Sequence, residues 1–162
     1  MTKQQFLTAA TEAALESSRT SGLPPGVTVA QAALESAWGR SQLAREAHNY
    51  FGIKAHGSHR FIELPTSEVV HGKLVRTAAY FAAYDSMAAC FADRDALILK
   101  LACYAEARAS AADSPAFIRS LARHWATDPD YADKLITVYT QNRLDSLDIR
   151  PIATDASAQC CS

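Results

Sequence analysis

The chain of 162 residues is long enough for one domain with a sizeable core, and its 49% hydrophobic and 20% charged residues are ordinary for a globular protein. A formal net charge of -1, without any run of lysine or arginine, argues against recruitment by nucleic acid or by an anionic membrane surface. No apolar stretch approaches the ~20 residues that a transmembrane helix needs, so no membrane span is expected.

The chain begins with apolar residues at helical spacing. A first helix is predicted from about Thr2 to Thr20, with Gly22 as its stop. This segment is amphipathic and lacks the uninterrupted apolar core of a signal peptide, so no signal peptide is visible. The residues Leu23-Pro24-Pro25-Gly26 predict a rigid loop, because proline fixes φ and glycine permits a turn.

Two more helices are predicted after this loop. Thr28 is a suitable N-cap for the second helix, and Gly39 is predicted to end it. Ser41 is predicted to cap a short third helix that continues through Glu46. The second helix therefore places Glu35 close to a helix end.

The pattern changes to β-branched and aromatic residues between about residues 51 and 84. Phe61–Leu64 and Ser67–Val70 are predicted to be extended. His71-Gly72 is predicted to form a hairpin turn, and Lys73–Thr77 the returning strand. These segments predict a small antiparallel lobe of two or three strands.

Helical patterns resume after this lobe. Ser86 is predicted to cap a helix that continues to about Leu101. Ser114, which precedes a proline, is predicted to cap the next helix. The last helix is predicted to start in Thr127-Asp128-Pro129-Asp130.

The order of these elements predicts the fold class. Helices, then a small sheet, then further helices indicate an α+β fold that is mainly α. One domain is expected over residues 1–149, with its β lobe at about 51–84. A polar C-terminal tail is expected at residues 150–162.

Glu35 is the first candidate for chemistry. It lies among apolar residues near a helix end, next to Leu34 and three residues before Trp38. Burial among such neighbours disfavours the anion and raises the pKa of a carboxyl group. A carboxylic acid that keeps its proton near neutral pH can act as a general acid.

Several sequence blocks then resemble one family. AQAALESAWGRSQLA (30–44) and HNYFGIKA (48–55) are followed in order by ELPTSEVVHGK (63–73), FAAYDS (81–86) and ATDPDYADKL (126–135). These blocks closely resemble the glucosaminidase domains of bacterial peptidoglycan hydrolases, the family-73 glycoside hydrolases, which include flagellar rod-assembly and autolysin-like members. The resemblance covers about Lys3 to Leu144. It implies a lysozyme-like helical domain with a β-hairpin lobe across a cleft.

The resemblance also implies catalytic roles. Glu35 matches the family's general acid, which delivers a proton to the leaving oxygen while an oxocarbenium-like cation develops. Glu68 matches the hairpin glutamate that serves as base or stabiliser, and Glu63 competes for this role. A substrate acetamido group that acts as nucleophile is a further alternative to a protein carboxylate.

Other residues in the matched blocks are candidates for binding sugar. Trp38 and Tyr50 suit stacking on a sugar ring, although Trp38 suits core packing equally well. Asn49 is a candidate for a hydrogen bond to an N-acetyl group or for a turn-forming role. The further substrate-binding candidates are Lys54, Trp125 and Tyr131. Family members usually have tyrosine at the position of Trp125, so the family's cleft tyrosine corresponds either to Trp125 or, as we favour, to Tyr131.

The predicted function is that of a peptidoglycan endo-β-N-acetylglucosaminidase, which cleaves the glycan strand after N-acetylglucosamine. A muramidase or a lytic transglycosylase acting on the same polymer is the first alternative, since these enzymes also use a glutamate followed by serine near a helix end. A non-catalytic module that binds the cell wall is the second alternative, and Trp125 and the lack of a visible signal peptide motivate it.

The expected partner is the peptidoglycan glycan strand. The chain is expected to act as a monomer at the bacterial cell wall, in the periplasm or outside the cell. No metal or organic cofactor is expected, because the four cysteines and five histidines lack the spacing of metal ligands.

Overall fold

The computed structural model describes residues 1–57, 60–70 and 72–149, with the backbone alone at residues 66–70, 74 and 76. This part of the chain contains seven α-helices, two short 3-10 turns and one two-stranded antiparallel sheet. The predicted α+β fold, mainly α with a hairpin, is confirmed. The helices are α1 (Lys3–Ser21), α2 (Pro25–Glu35), α3 (Gln42–Ala47), α4 (Met87–Lys100), α5 (Ala105–Ala109), α6 (Ser114–Trp125) and α7 (Tyr131–Gln141).

Helix α2 lies at the centre of the helical domain. Every residue from 25 to 33 is buried, as expected for a helix surrounded by protein on all sides. It packs against α1, α7 and the 3-10 turn Leu144–Leu147. The helix ends at Glu35, so this carboxylate stands where the central helix leaves the core.

The start of α2 corrects one prediction. The helix begins at Pro25, three residues before the predicted cap Thr28, because proline suits the first helical position, where an N–H would be unpaired anyway. Gly26 is therefore helical, and a Cβ atom there would overlap the carbonyl group of Leu144. Its N–H donates to Asp148 Oδ1 at 2.6 Å. The glycine permits close packing of α2 against the C-terminal turn.

Other helix ends follow the predicted capping chemistry more closely. Ser86 caps α4, and its hydroxyl accepts from Ala89 N at 3.1 Å. Ser41 caps α3 in the same way. The cap of α6 is one residue earlier than predicted, because the Asp113 carboxylate accepts from Ala116 N and Ser114 is already helical.

The hairpin consists of β1 (Phe61–Val70) and β2 (Lys73–Ala82). Strand β1 continues through Pro65, which a two-stranded ribbon tolerates because each strand has an unpaired edge. Lys54 forms a single β-bridge with Phe81, and this bridge joins the segment before the hairpin to β2. The predicted turn falls between the strands, and its residue His71 lies outside the described residues.

The predicted polar tail, residues 150–162, also lies outside the described residues. In the part of the chain that the structure describes, no helix has both the length and the apolar character needed to cross a bilayer.

Candidate active site

Glu35 is the last residue of α2, and an unusual turn follows it. Ala37, Trp38 and Gly39 all have positive φ, which is uncommon for residues other than glycine. The Ser36 side chain stabilises this turn, because its hydroxyl donates to Ala32 O and accepts from Gly39 N. The predicted helix end at Gly39 is therefore wrong: the helix stops four residues earlier, and Glu35 stands directly before the turn.

Two aromatic side chains contact the Glu35 carboxylate. The Tyr131 hydroxyl, at the start of α7, donates to Glu35 Oε1 at 2.6 Å. The side chain of Trp125, at the end of α6, also lies near the carboxylate and lowers the pKa of Glu35. The structure thus brings both candidates for the cleft aromatic, Trp125 and Tyr131, to the same glutamate.

The environment of Glu35 favours its protonated form. The pKa of Glu35 is raised above its ordinary value because burial desolvates the carboxylate, while the hydrogen bonds from Tyr131 and Trp125 act in the opposite direction. Its position at the carboxyl end of a helix also disfavours an anion. Part of the residue nevertheless remains exposed to solvent. Glu35 combines a raised pKa with access from outside.

Tyr131 keeps its proton under the same conditions. Burial raises the pKa of this hydroxyl, and the charge of Glu35 and its hydrogen bond raise the pKa further. Tyr131 is 5% exposed, so its orientation is set by protein groups. It therefore serves as a hydrogen-bond donor to Glu35.

Sequence reasoning missed two polar residues behind this pair. Gln31 lies one helical turn before Glu35 on α2, and its Nε2 donates to the Tyr131 hydroxyl at 3.2 Å. Arg94 on α4 is fully buried and donates to Gln31 Oε1 through Nε at 3.0 Å and through Nη2 at 2.8 Å. Arg94 follows Cys90 by four residues and precedes Ile98 by four on the buried face of α4, so its helical spacing was a signal available in the sequence.

Asn49 and Tyr50 have structural positions. Asn49 is 1% exposed, and its Nδ2 donates to Ile53 O and Ala82 O, both at 2.9 Å. Its Oδ1 accepts from the backbone N–H groups of Phe51 and Ile53. The side chain thereby fixes the segment that leads to the hairpin, which favours the turn-forming alternative over contact with an N-acetyl group.

Tyr50 and Trp38 pack on the aromatic residues of the core. Tyr50 is 5% exposed and contacts Phe6 and Phe91, which does not fit stacking on a sugar. Trp38 is half-buried and packs edge-on against Phe6, with the Lys3 ammonium 4.3 Å from its ring centroid. Core packing therefore accounts for the inner side of Trp38.

A groove of about 340 Å³ adjoins Trp125. One side of the groove is formed by Trp125, Tyr104 and Leu101. The other side is formed by the segment before the hairpin, which includes the exposed residues Lys54 and His56. The ammonium group of Lys54 lies 4.2 Å from the Phe81 ring centroid on β2. Trp125 therefore lies beside the Glu35 carboxylate and also lines a groove bounded by aromatic and basic side chains.

The two hairpin glutamates lie on β1. Glu63 is exposed and pairs with Tyr80, and Glu68 pairs in register with Val75. The side chain of Glu68 is outside the described part of the chain. Position 68 is five places after position 63, and an odd offset along a strand puts the two positions on opposite faces of the sheet.

The helical domain, with a desolvated, hydrogen-bonded glutamate at a helix end and an antiparallel hairpin nearby, has the lysozyme-like fold. The family model for Glucosaminidase, described as mannosyl-glycoprotein endo-beta-N-acetylglucosaminidase, matches residues 11–144. The chain belongs to this family, the family-73 glycoside hydrolases.

Individual relatives agree with this assignment. The chain is 35% identical over 130 residues to the peptidoglycan hydrolase FlgJ of Salmonella typhimurium, and 33% identical over 138 residues to the exo-glucosaminidase LytG of Bacillus subtilis. Each match covers 76% of this chain. The matched part makes up 41% of FlgJ and 46% of LytG, so the chain spans less than half the length of these relatives. The catalytic domain of the autolysin Auto from Listeria monocytogenes superimposes with a TM-score of 0.81 at 30% identity, over 90% of this chain and 86% of that one.

Proposed function

We propose that this chain is a peptidoglycan hydrolase that cleaves the glycan strand after N-acetylglucosamine, with Glu35 as the general acid. One observation carries the proposal: Glu35 is accessible from outside while burial raises its pKa. Such a group can keep its proton until substrate arrives and then donate it to the glycosidic oxygen. The family and the relatives named as peptidoglycan hydrolases support the choice of polymer.

The reaction needs a second group to stabilise the developing cation or to activate water. We assign this role to Glu68, with Glu63 as the competing candidate. Position 63 shares a sheet face with Phe61 and Tyr80, which are 58% and 51% exposed and contact each other. Position 68 shares the opposite face with Ile62 and Leu64, which are less exposed. This difference supports Glu68 as the residue nearer to the helical domain.

The groove beside Trp125 is a candidate for holding part of the glycan. Aromatic walls suit the apolar faces of sugar rings, and Lys54 and His56 at its edge suit acidic groups of the wall polymer. The proposed site of action is the bacterial cell wall, in the periplasm or outside the cell.

The direct test compares Glu35→Gln with the wild-type protein on purified peptidoglycan. We expect release of reducing ends to fall by at least ~10²-fold, which is the lower range for removal of a general acid. Glu12→Gln makes the same chemical change at an exposed position on α1 and should keep wild-type activity. Equal activity of the Glu35 and Glu12 variants would overturn the assignment.

The bond that is cut is a separate question, because LytG is named an exo-glucosaminidase and FlgJ only a peptidoglycan hydrolase. Mass spectrometry of the fragments separates the candidates. An N-acetylglucosamine reducing end supports the proposal, whereas a muramic acid reducing end indicates a muramidase and a 1,6-anhydro end a transglycosylase. Binding to wall material without any released sugar would indicate a non-catalytic module.

A further inference from the structure

A continuous chain of hydrogen bonds connects the interior of the helical domain to Glu35. It begins at Asp95, which accepts from Arg94 Nη1 at 2.6 Å. Arg94 donates to Gln31, Gln31 donates to Tyr131, and Tyr131 donates to Glu35. Arg94, Asp95 and Gln31 are at most 3% exposed, so water does not complete their hydrogen bonds as it would at a surface.

Chemistry fixes the direction of this chain at Gln31. A guanidinium group has only donors, so the Gln31 atom that faces Arg94 must be the amide oxygen. The amide nitrogen then points to the Tyr131 hydroxyl, 3.2 Å away. Because an amide NH₂ group only donates, the Tyr131 oxygen must accept from it.

The same argument continues at Tyr131. A tyrosine hydroxyl has one proton, and the bond from Gln31 occupies one of its acceptor positions. Its proton is therefore directed to Glu35 Oε1. In a protonated carboxyl group the carbonyl oxygen accepts hydrogen bonds better than the hydroxyl oxygen, so the Tyr131 proton favours Oε1 as the carbonyl oxygen and Oε2 as the oxygen that holds the acidic proton.

We propose that Gln31 and Arg94 are positioning residues of the glycosidase: they hold the Tyr131 hydroxyl as a donor to Glu35 Oε1 and so assign the transferable proton to Oε2. This inference rests on the proposed function for its catalytic meaning. Neither residue touches the glycan; each acts through its neighbour in the chain of hydrogen bonds.

The other groups around Glu35 do not provide the same control. Trp125 also lowers the pKa of Glu35, but it is not a link in the series of hydrogen bonds from Arg94 through Gln31 to Tyr131. Asp130, Asp133 and Lys134 lie beside Leu34, at the surface of α7, where solvent screens them. On the hairpin, Glu63 is exposed, and the Glu68 side chain is outside the described residues. Arg94 is thus the buried cation at the inner end of the series of hydrogen bonds that leads to Glu35.

Gln31→Glu reverses one link of the chain while it keeps the shape of the side chain. The new carboxylate still accepts from Arg94, which holds it ionised, and its second oxygen accepts the Tyr131 proton in place of Glu35. We expect the pKa of Glu35, followed by the ¹³C shift of its labelled carboxyl carbon, to rise. We also expect kcat to fall about tenfold while KM changes by less than about twofold. A tenfold loss is part of the ~10²–10⁴-fold rate acceleration that general acid catalysis contributes.

The pH profile has a defined sign. A general acid is lost when it deprotonates, so the alkaline limb of kcat/KM follows the pKa of Glu35 and should move to higher pH in Gln31→Glu. Gln141→Glu makes the same change at the exposed far end of α7 and should leave both the carbon titration and the limb in place.

A double-mutant cycle tests whether Gln31 acts through Tyr131. Gln31→Met should lower kcat in the wild-type background but have little further effect when Tyr131→Phe is already present. Equal loss of kcat in both backgrounds, or a Glu35 titration unchanged in both Gln31 variants, overturns the proposal. If the wild-type protein releases no sugar, the proposed function fails, and the carbon titration still decides the positioning role.

Discussion

The helical domain and the hairpin each carry a glutamate proposed for catalysis, and they offer these residues opposite surroundings. Glu35 stands at the end of a buried helix, where Tyr131 donates to its carboxylate and a buried series of hydrogen bonds supports Tyr131. The described part of the hairpin is a two-stranded ribbon with large exposed side chains such as Phe61, Tyr80 and Val75.

The different surroundings suit different tasks. A general acid needs a raised pKa, and desolvation of the carboxyl group raises it. Desolvation destabilises the fold unless neighbouring groups form hydrogen bonds with the carboxyl group. A carboxylate that works in its ionised form, as a base or as a stabiliser of a cation, needs no burial. A packed helical domain can provide the first environment, and an exposed strand is sufficient for the second.

The largest effect on stability is expected from breaking the interior of the helical domain. Arg94→Met removes the cation paired with the buried Asp95 and the hydrogen bonds that Arg94 donates to Gln31 and Thr28. Removing one partner of a buried ion pair leaves an uncompensated charge, which typically costs about 3–5 kcal/mol. We expect the free energy of unfolding, measured with urea, to fall by about this amount.

The matched control for Arg94 is Arg119→Met on α6. Arg119 is exposed, and its Nη1 lies 3.9 Å from Oδ1 of the exposed Asp133. Exposed pairs of this kind contribute about 0–1 kcal/mol. Similar losses in the two variants would show that the buried chain of hydrogen bonds is no more important to the fold than a surface contact.

The next effect concerns activity. Tyr131→Phe removes the 2.6 Å donor to Glu35 Oε1 and keeps the aromatic ring. Since this hydrogen bond lowers the pKa of Glu35 against the effect of burial, its loss should raise the pKa further. We expect the alkaline limb of kcat/KM to move to higher pH and kcat to fall about tenfold. Tyr80→Phe, at an exposed position on the hairpin, is the control and should change neither quantity.

The features that sequence reasoning found are those with local signals. Glu35 was found because a lone carboxylate stands among apolar helical residues, and Tyr131 because it belongs to a matched block. The hairpin and most helix caps were found because turn and cap residues act on their immediate neighbours. These elements needed no knowledge of what packs against them.

The features that it missed depend on contacts between distant segments. The sequence around Gly26 suggests a turn, but in the structure the carbonyl of Leu144 packs against this glycine. Asn49 is a candidate for binding sugar in the sequence, but in the structure its side chain donates to the Ala82 carbonyl. Gln31 and Arg94 are polar residues on buried helical faces, where Arg94 donates to Gln31 and both also bond to Tyr131, Thr28 or Asp95 on other segments or on the same helix. Their spacing was visible, but the pairing of α2 with α4 was not.

A smaller expected effect is the contribution of Glu35 to the pH dependence of the free energy of unfolding. Because burial raises the pKa of Glu35 above its unfolded value, the folded state binds its proton more tightly. The contribution of this residue to the free energy of unfolding therefore declines as the pH rises from the ordinary glutamate pKa through the raised folded value. Glu35→Gln removes this dependence, so the stability of the variant relative to wild type should increase over that pH range.

Urea unfolding at a series of pH values measures this trend, with Glu12→Gln as the control that should show no such trend relative to wild type. A difference between Glu35→Gln and wild type that does not change with pH would mean that folding does not raise the pKa of Glu35. Its proposed role as an acid that retains its proton would then lose its physical basis.

The smallest effect is expected on the hairpin, at Glu63. This side chain is exposed and belongs to the sheet face of Phe61 and Tyr80, so Glu63→Gln should change the free energy of unfolding by no more than about 0.5 kcal/mol and activity by less than about twofold. Glu68→Gln, on the opposite face, should lower activity on purified peptidoglycan much more strongly. The reverse order would assign the second catalytic role to Glu63. Strong activity in both single variants and in the double variant would indicate that a substrate acetamido group, and not a hairpin carboxylate, assists Glu35.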